Sequence, residues 1–196
     1  MTLERLAAAV RSHAPAPFPV ERIPPERLPP GGLARGAVLV PIFEKDGEVN
    51  VLLTRRPAGM RRHAGQISFP GGRVEEGEDP LAAALREAHE EIGLAPAAVQ
   101  VVGPLSETVV LRSAFRLTPW VAEVPYPYAY VAAPDEVESI LLVALAALAA
   151  PGAHRVERGE AWGMPVEVHE FSAGVDVIWG ATARVLAELV DVWRST

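Results

Sequence analysis

The stretch GGRVEEGEDPLAAALREAHEEIGL, Gly71 to Leu94, decides both the fold and the chemistry. It predicts a helix from about Asp79 to Ile92, with Asp79 as N-cap, Pro80 at the first helical position and Gly93 as the C-terminal stop. At helical spacing Leu81, Ala84, Leu85, Ala88 and Ile92 form the face expected in the core. Glu87, Glu90 and Glu91 fill an adjoining arc of about 100°. Carboxylates at i, i+3 and i+4 are neighbours, and each such pair costs about 0.2–0.5 kcal/mol. Glu91 also lies near the helix C-terminus, where the dipole disfavours an anion. Arg86 can serve Glu90 at i+4, but one cation does not neutralise three anions.

A glutamate-rich helix is most often a solvated face. Here the carboxylates share one arc, and the acidic loop Glu75-Glu76-Gly77-Glu78 precedes them. Gly71-Gly72 lets the backbone turn tightly beside the helix, so that a carbonyl can join a coordination shell. Mg²⁺ or Mn²⁺ takes such oxygen ligands and leaves room for a phosphate oxygen.

Upstream, Ala37–Phe43 and Val49–Thr54 read as strands around the turn Lys45-Asp46-Gly47. An arginine-rich segment, Arg55 to Gln66, leads to a strand at Ile67–Phe69 that Pro70-Gly71-Gly72 breaks. Downstream strands are expected at Val99–Val102, Phe115–Val124, Ile140–Val143 and Val166–Phe171. Helices are expected at Leu145–Ala150 and from about Trp179 to Trp193. Strands outnumber helices without alternating with them, which gives an α+β class: a mixed sheet with flanking helices. At the N-terminus, Thr2–His13 reads as a short amphipathic helix. Pro15 to Gly32 carries too many prolines for a helix or an inner strand and reads as an extended arm or linker. The expected division is residues 1–33 as helix and arm, and 34–196 as one catalytic domain.

The 196 residues are 49% apolar and 22% charged, the balance of an ordinary globular domain. With no cysteine, disulfides, thiolate nucleophiles, zinc–cysteine sites and iron–sulfur clusters are excluded. Lys and Arg total 18 against 25 Asp and Glu, and the net charge of −7 argues against a nucleic-acid partner. The longest apolar run, Ile140 to Ala150, is too short to span a membrane. No secretory signal is visible, and a cytoplasmic protein with no membrane partner is expected.

The segment resembles the signature of the Nudix hydrolases on Gly72, Glu78, Arg86, Glu87, Ala88, Glu90, Glu91, Gly93 and Leu94, with every polar and glycine position matched. Just upstream, LLTRRPAGMRRHAGQISFPGG, Leu52 to Gly72, is similar to the extra motif of the coenzyme A pyrophosphatase branch. Leu52, Leu53, Thr54, Arg56, Arg61, Gly65, Phe69, Pro70, Gly71 and Gly72 fit it, whereas Pro57 replaces the small residue expected after Arg56. Leu117–Trp120 and Ile178–Ala183 also resemble this branch, so the likeness runs from about residue 36 to 185.

The resemblance implies a mixed sheet sandwiched between helices, α/β/α. It implies metal-dependent hydrolysis of coenzyme A, or a derivative, to 3′-phosphoadenosine 5′-phosphate and 4′-phosphopantetheine. Glu87 and Glu91 are then the main metal ligands, Glu90 and the Gly72 carbonyl support them, and Glu90 is also placed to orient or deprotonate water. Arg86 holds the cluster, with Glu78 as its partner. A general base outside the signature is sought in Glu136 and Glu138, either of which reads equally as a solvated loop residue. Arg55, Arg56, Arg61, Arg62 and His63 form a basic cluster, read as a contact for the 3′-phosphate or as a solubilising loop. Phe69 and Trp179 are expected in the core, His89 in solvent, and Trp120, Tyr126, Tyr128 and Tyr130 as edge packing. His13, His154 and His169 have no readable role.

Three other readings stand beside this one. The substrate could be ADP-ribose or a dinucleoside polyphosphate. The chain could be a regulatory module that binds a nucleotide without hydrolysing it, although such a module has no need of the glutamates. An RNA-decapping role meets the acidic charge and the lack of an aromatic-basic surface pattern.

Overall fold

The computed structural model describes residues 2–59, 64–110, 113–161, 164–174 and 176–195. After helix α1 (Leu3–Ser12), the chain forms β1 (Ala34–Lys45), β2 (Glu48–Arg55), β3 (Ile67–Ser68) and β4 (Gly71–Arg73), then α2 (Pro80–Ile92). Strands β5 (Gln100–Pro104), β6 (Thr108–Val110), β7 (Phe115–Glu123) and β8 (Ser139–Ala144) follow, then the short α3 (Leu145–Leu148). The chain ends with β9 (His154–Ala161), β10 (Met164–Ala173), β11 (Asp176–Trp179) and α4 (Ala181–Arg194).

The main sheet runs β3-β2-β1-β7-β5, with β4 added to β1, β6 to β7 and β8 to β2. Its β1–β7 pair is parallel, from Ala34 opposite Phe115 to Ile42 opposite Glu123, and the other pairs are antiparallel. Successive side chains of β1 point to opposite faces. Ala37, Leu39 and Phe43 join Ala84, Ala88 and Ile92 of α2 on one side. Val38, Val40 and Ile42 join Leu6 and Val10 of α1 and Leu186 and Leu189 of α4 on the other. The result is the expected α/β/α sandwich, with β1 near-continuously apolar because both its faces are covered. A second, antiparallel sheet β9-β10-β11 packs Phe171 and Ile178 into the α4 side.

Three expectations change. Gly71–Arg73 does not merely break a strand; it forms β4, paired antiparallel with Gly36–Val38 of β1. Trp179 is not a core residue: it ends β11, is 46% exposed, and leaves the last helix to start at Ala181. The proline-rich stretch does not stand away from the body. Two single turns, Val20–Arg22 and Pro25–Arg27, bury Ile23 between them, and Phe18 N–H donates to Glu107. α1 itself is part of the core, held by His13 Nε2 at 2.7 Å from Glu188 Oε1. The same oxygen accepts from the Ser106 amide and hydroxyl, at 3.0 and 2.6 Å.

Candidate active site

Helix α2 starts where Asp79 Oδ1 accepts from the amides of Leu81 and Ala82, and stops at Gly93 in the left-handed region at φ +68°. Its buried residues Ala83, Ala84, Ala88 and Ile92 set which face meets the sheet. On the remaining face Arg86 gathers the glutamates. Its Nε lies 3.0 Å from Glu78 Oε1 and its Nη2 3.2 Å from Glu78 Oε2, a two-point grip. Nη1 donates to Glu87 at 2.9 Å and to Glu90 at 3.2 Å, and Nη2 also donates to the Arg73 carbonyl at 3.1 Å. The hydrogen bond from Arg86 holds the Glu78 carboxyl below its ordinary range, and the guanidinium is held above its own. One arginine thus ties the acidic loop, helix α2 and strand β4 together.

Glu91 turns the other way. It is 3% exposed, and its Oε2 accepts from the Gly71 amide at 3.3 Å. Burial pushes its carboxyl up to about 8; the Gly71 amide and the charge of Arg56 pull it down, while Glu136 and Glu87 push it further up. Glu87 is also raised, chiefly by burial and against the pull of Arg86. Helical spacing puts Glu91 on a polar arc and gives no sign of this burial; the amide of Gly71 in β4 meets its carboxyl there. The pairing also needs the glycine at 71. A side chain on Gly71, at φ +151°, would run into the Ala37 carbonyl, and one on Gly72 would overlap the Glu87 carboxylate.

The loop after β7 is clipped to the end of α2. Val131 N–H donates to the Ile92 carbonyl at 3.0 Å and Ala133 N–H to that of Glu91 at 2.8 Å, satisfying carbonyls that the helix leaves open. Glu136 and Val137 fold back on the Ala133 carbonyl, and Val137 is buried. This brings Glu136 close enough to raise the pKa of both Glu87 and Glu91. Glu138 is exposed, and its amide is bound to the Arg55 carbonyl instead.

The basic cluster is divided. Arg55 is paired with Asp176 at 2.6 Å and is not free for a phosphate. Arg56 has a buried Nε without a hydrogen-bond partner among the described residues and acts electrostatically on Glu91. Arg61, Arg62 and His63 lie outside the described residues. A cavity of about 1000 Å³ opens beside Arg56, Gly71 and Gly72 and extends to Phe69, Trp179 and Arg184.

Among the described residues no three His, Asp or Glu side chains form a ready-made cation site; Arg86 binds oxygens of Glu78, Glu87 and Glu90 instead. The donor set nonetheless fits a hard divalent cation. Every candidate ligand is an oxygen, as Mg²⁺ and Mn²⁺ require. The buried Glu91 carboxyl has one backbone donor at 3.3 Å, so its charged form lacks compensation that a cation supplies. Gly72 leaves bare main chain against Glu87.

Residues 33–161 match the NUDIX domain family. The chain belongs to the Nudix family. It is 36% identical over 165 residues to a protein of Cronobacter sakazakii named "Uncharacterized Nudix hydrolase NudL", covering 79% of this chain and 80% of that one. Two solved structures share the Nudix fold. The MutT protein of Methanosarcina mazei Go1 is 20% identical, with TM-score 0.53 over 83% of this chain and 96% of that one. A MutT/nudix family protein of Enterococcus faecalis is 16% identical, with TM-score 0.56 over 83% and 61%. Nudix hydrolases use divalent cations such as Mg²⁺ or Mn²⁺, in agreement with the oxygen-only donor set of this Nudix chain.

Proposed function

We propose that this Nudix hydrolase cleaves the pyrophosphate bond of coenzyme A or a derivative, releasing 3′-phosphoadenosine 5′-phosphate and 4′-phosphopantetheine. The observation that supports it is the placement of the upstream motif: Arg56, Phe69, Gly71 and Gly72 line the cavity, while Gly71 and Gly72 also abut Glu91 and Glu87. A substrate in that cavity presents its phosphates to the carboxylates.

In this reading Glu87 and Glu91 hold a divalent cation, supported by Glu90 and the Gly72 carbonyl. A divalent cation held by these residues would supply charge neutralisation at the phosphoryl oxygens and would lower the pKa of water there. Arg86 keeps Glu87 and Glu90 in register. Glu90, with its side chain 56% exposed, orients the attacking water. Of the two exposed loop glutamates, Glu136 is assigned to accept its proton, a choice supported by its charge acting on both Glu87 and Glu91. Arg56, Arg61 and Arg62 contact the substrate phosphates.

The test is chromatographic product analysis with coenzyme A, dephospho-coenzyme A and ADP-ribose, each with Mg²⁺ or Mn²⁺ and with a chelator. Metal-dependent release of 3′-phosphoadenosine 5′-phosphate, with ADP-ribose much slower, is expected. Faster turnover of ADP-ribose overturns the coenzyme A assignment, and binding without turnover of any of the three points to a regulatory module.

A further inference from the structure

Helix α4 begins in an unusual way. Gly180, at φ +69° and ψ −137°, turns the chain from β11 into the helix, a conformation open in practice to glycine. No side chain caps the helix, and the amides of Ala181, Thr182 and Ala183 have no acceptor among the described residues. Gly180, Ala181 and Thr182 line the cavity described above, so these donors border space that a ligand can enter.

The charge beside them has the wrong sign for a bare helix end. Arg184 stands one turn in, where the dipole favours anions. Its guanidinium lines the same cavity and has no ion-pair partner among the described residues. Arg22 and Arg158 line the cavity too, against one carboxylate, the exposed Glu167.

A second observation is independent of the helix. His169 on β10 lines this cavity and is 6% exposed. Its Nδ1 lies 3.0 Å from His154 Nε2, while its own Nε2 is buried and unpartnered. A buried ring nitrogen without a partner is costly. If His154 donates to Nδ1, the proton of His169 sits on Nε2, where it has no acceptor among the described residues. Arg184 and His169 both line this cavity, and Arg184 acts on His169 electrostatically, as do the carboxylates of Glu167 and Asp191 with the opposite sign. Trp179, next to Gly180 and 46% exposed, offers an indole face for a base in the same cavity.

We propose that the N-terminal turn of α4, with Arg184 and His169, binds the 3′-phosphate of the nucleotide end of the substrate. The proposal rests on the coenzyme A reading for the identity of that phosphate. It moves 3′-phosphate recognition from the upstream arginines to a site more than 100 residues later in the chain.

The first experiment is calorimetric titration of the full-length, metal-free protein with 3′-phosphoadenosine 5′-phosphate and with AMP. Wild type is expected to bind the bisphosphate about 10- to 100-fold more tightly, the worth of one or two charge-assisted hydrogen bonds. Arg184→Gln is expected to bring the two within about twofold while leaving AMP affinity unchanged, on the same arithmetic. Equal binding of both ligands by wild type overturns the proposal, as does a variant that weakens both alike. So does a preference that survives in Arg184→Gln and disappears in Arg61→Gln or Arg62→Gln. Arg184 is exposed, and a circular-dichroism melt matching wild type confirms the fold of the variant. The second experiment compares coenzyme A with dephospho-coenzyme A as substrates, where Arg184→Gln should close the gap through KM. If wild type hydrolyses neither, the proposed activity fails, while the calorimetry still decides the phosphate site.

Discussion

The Gly71 amide donates to Glu91 Oε2 across 3.3 Å, so the start of strand β4 and the last turn of α2 meet at a buried carboxyl. Burial holds that carboxyl up at about 8, above the 4.5 it has in an unfolded chain. A group raised on folding contributes stability that is complete below its unfolded value and is lost as pH rises through its folded one. Metal-free wild type should therefore lose stability between about pH 4.5 and 8, and Glu91→Gln should not. Thermal melts across this range with a chelator measure it; a Glu91→Gln protein that melts below wild type at pH 8 contradicts it.

Gly72→Ala separates metal binding from folding. The added carbon meets the mobile end of the Glu87 side chain, which can move aside. Stability should change by less than about 1 kcal/mol, whereas Mn²⁺ affinity, followed by paramagnetic relaxation of water, should fall about tenfold or more. Loss of fold with normal metal affinity in the folded fraction would falsify this.

Arg86→Lys keeps the charge but cannot reproduce the two-point grip on Glu78 while reaching Glu87, Glu90 and the Arg73 carbonyl. Because the arginine is partly exposed, the cost in urea unfolding should be modest, about 1 kcal/mol. The larger effect expected is on kcat, since Glu87 and Glu90 lose their common anchor. Unchanged kcat shows that the anchor does not matter.

Glu136→Gln and Glu138→Gln make a matched pair on one loop. Removing a general base lowers turnover about 10²–10⁴-fold, and the loss is expected at Glu136 only. A comparable loss at Glu138 reassigns the base.

Leu6→Ala tests the N-terminal helix. Leu6 is fully buried beside α4, and truncating such a side chain costs about 2–5 kcal/mol. Equilibrium urea unfolding should show one transition at a lower midpoint. An unaltered midpoint means that α1 adds nothing to the core.

Much of this was legible in the residues because it depends on local chemistry. Asp79, Pro80 and Gly93 specify the ends of α2 through caps that act within one turn, and the structure keeps all three. The strands of Ala37–Phe43 and Val49–Thr54 were visible because their faces are buried and apolar. By contrast β9, with the sequence HRVERGEA, is almost wholly exposed and carries no alternation to read. Gly71–Arg73 looked like a chain break since a glycine pair has no side chains to pattern, and only its pairing with β1 makes it a strand. The burial of Glu91, the approach of Glu136 and the exposure of Trp179 are all set by contacts between distant segments. No periodicity encodes those.

Strand β4 has a consequence for how such a protein diversifies. Helices α2 and α4 lie on opposite faces of the main sheet, and β4 borders both the glutamates and the cavity. On the proposed reading, substitutions along Trp179–Arg184 change which ligand is bound and leave Glu78 to Glu91 untouched. Gly71 and Gly72 answer to both halves, and at Gly71 the neighbouring main chain of Ala37 and Val38 leaves no room for a side chain.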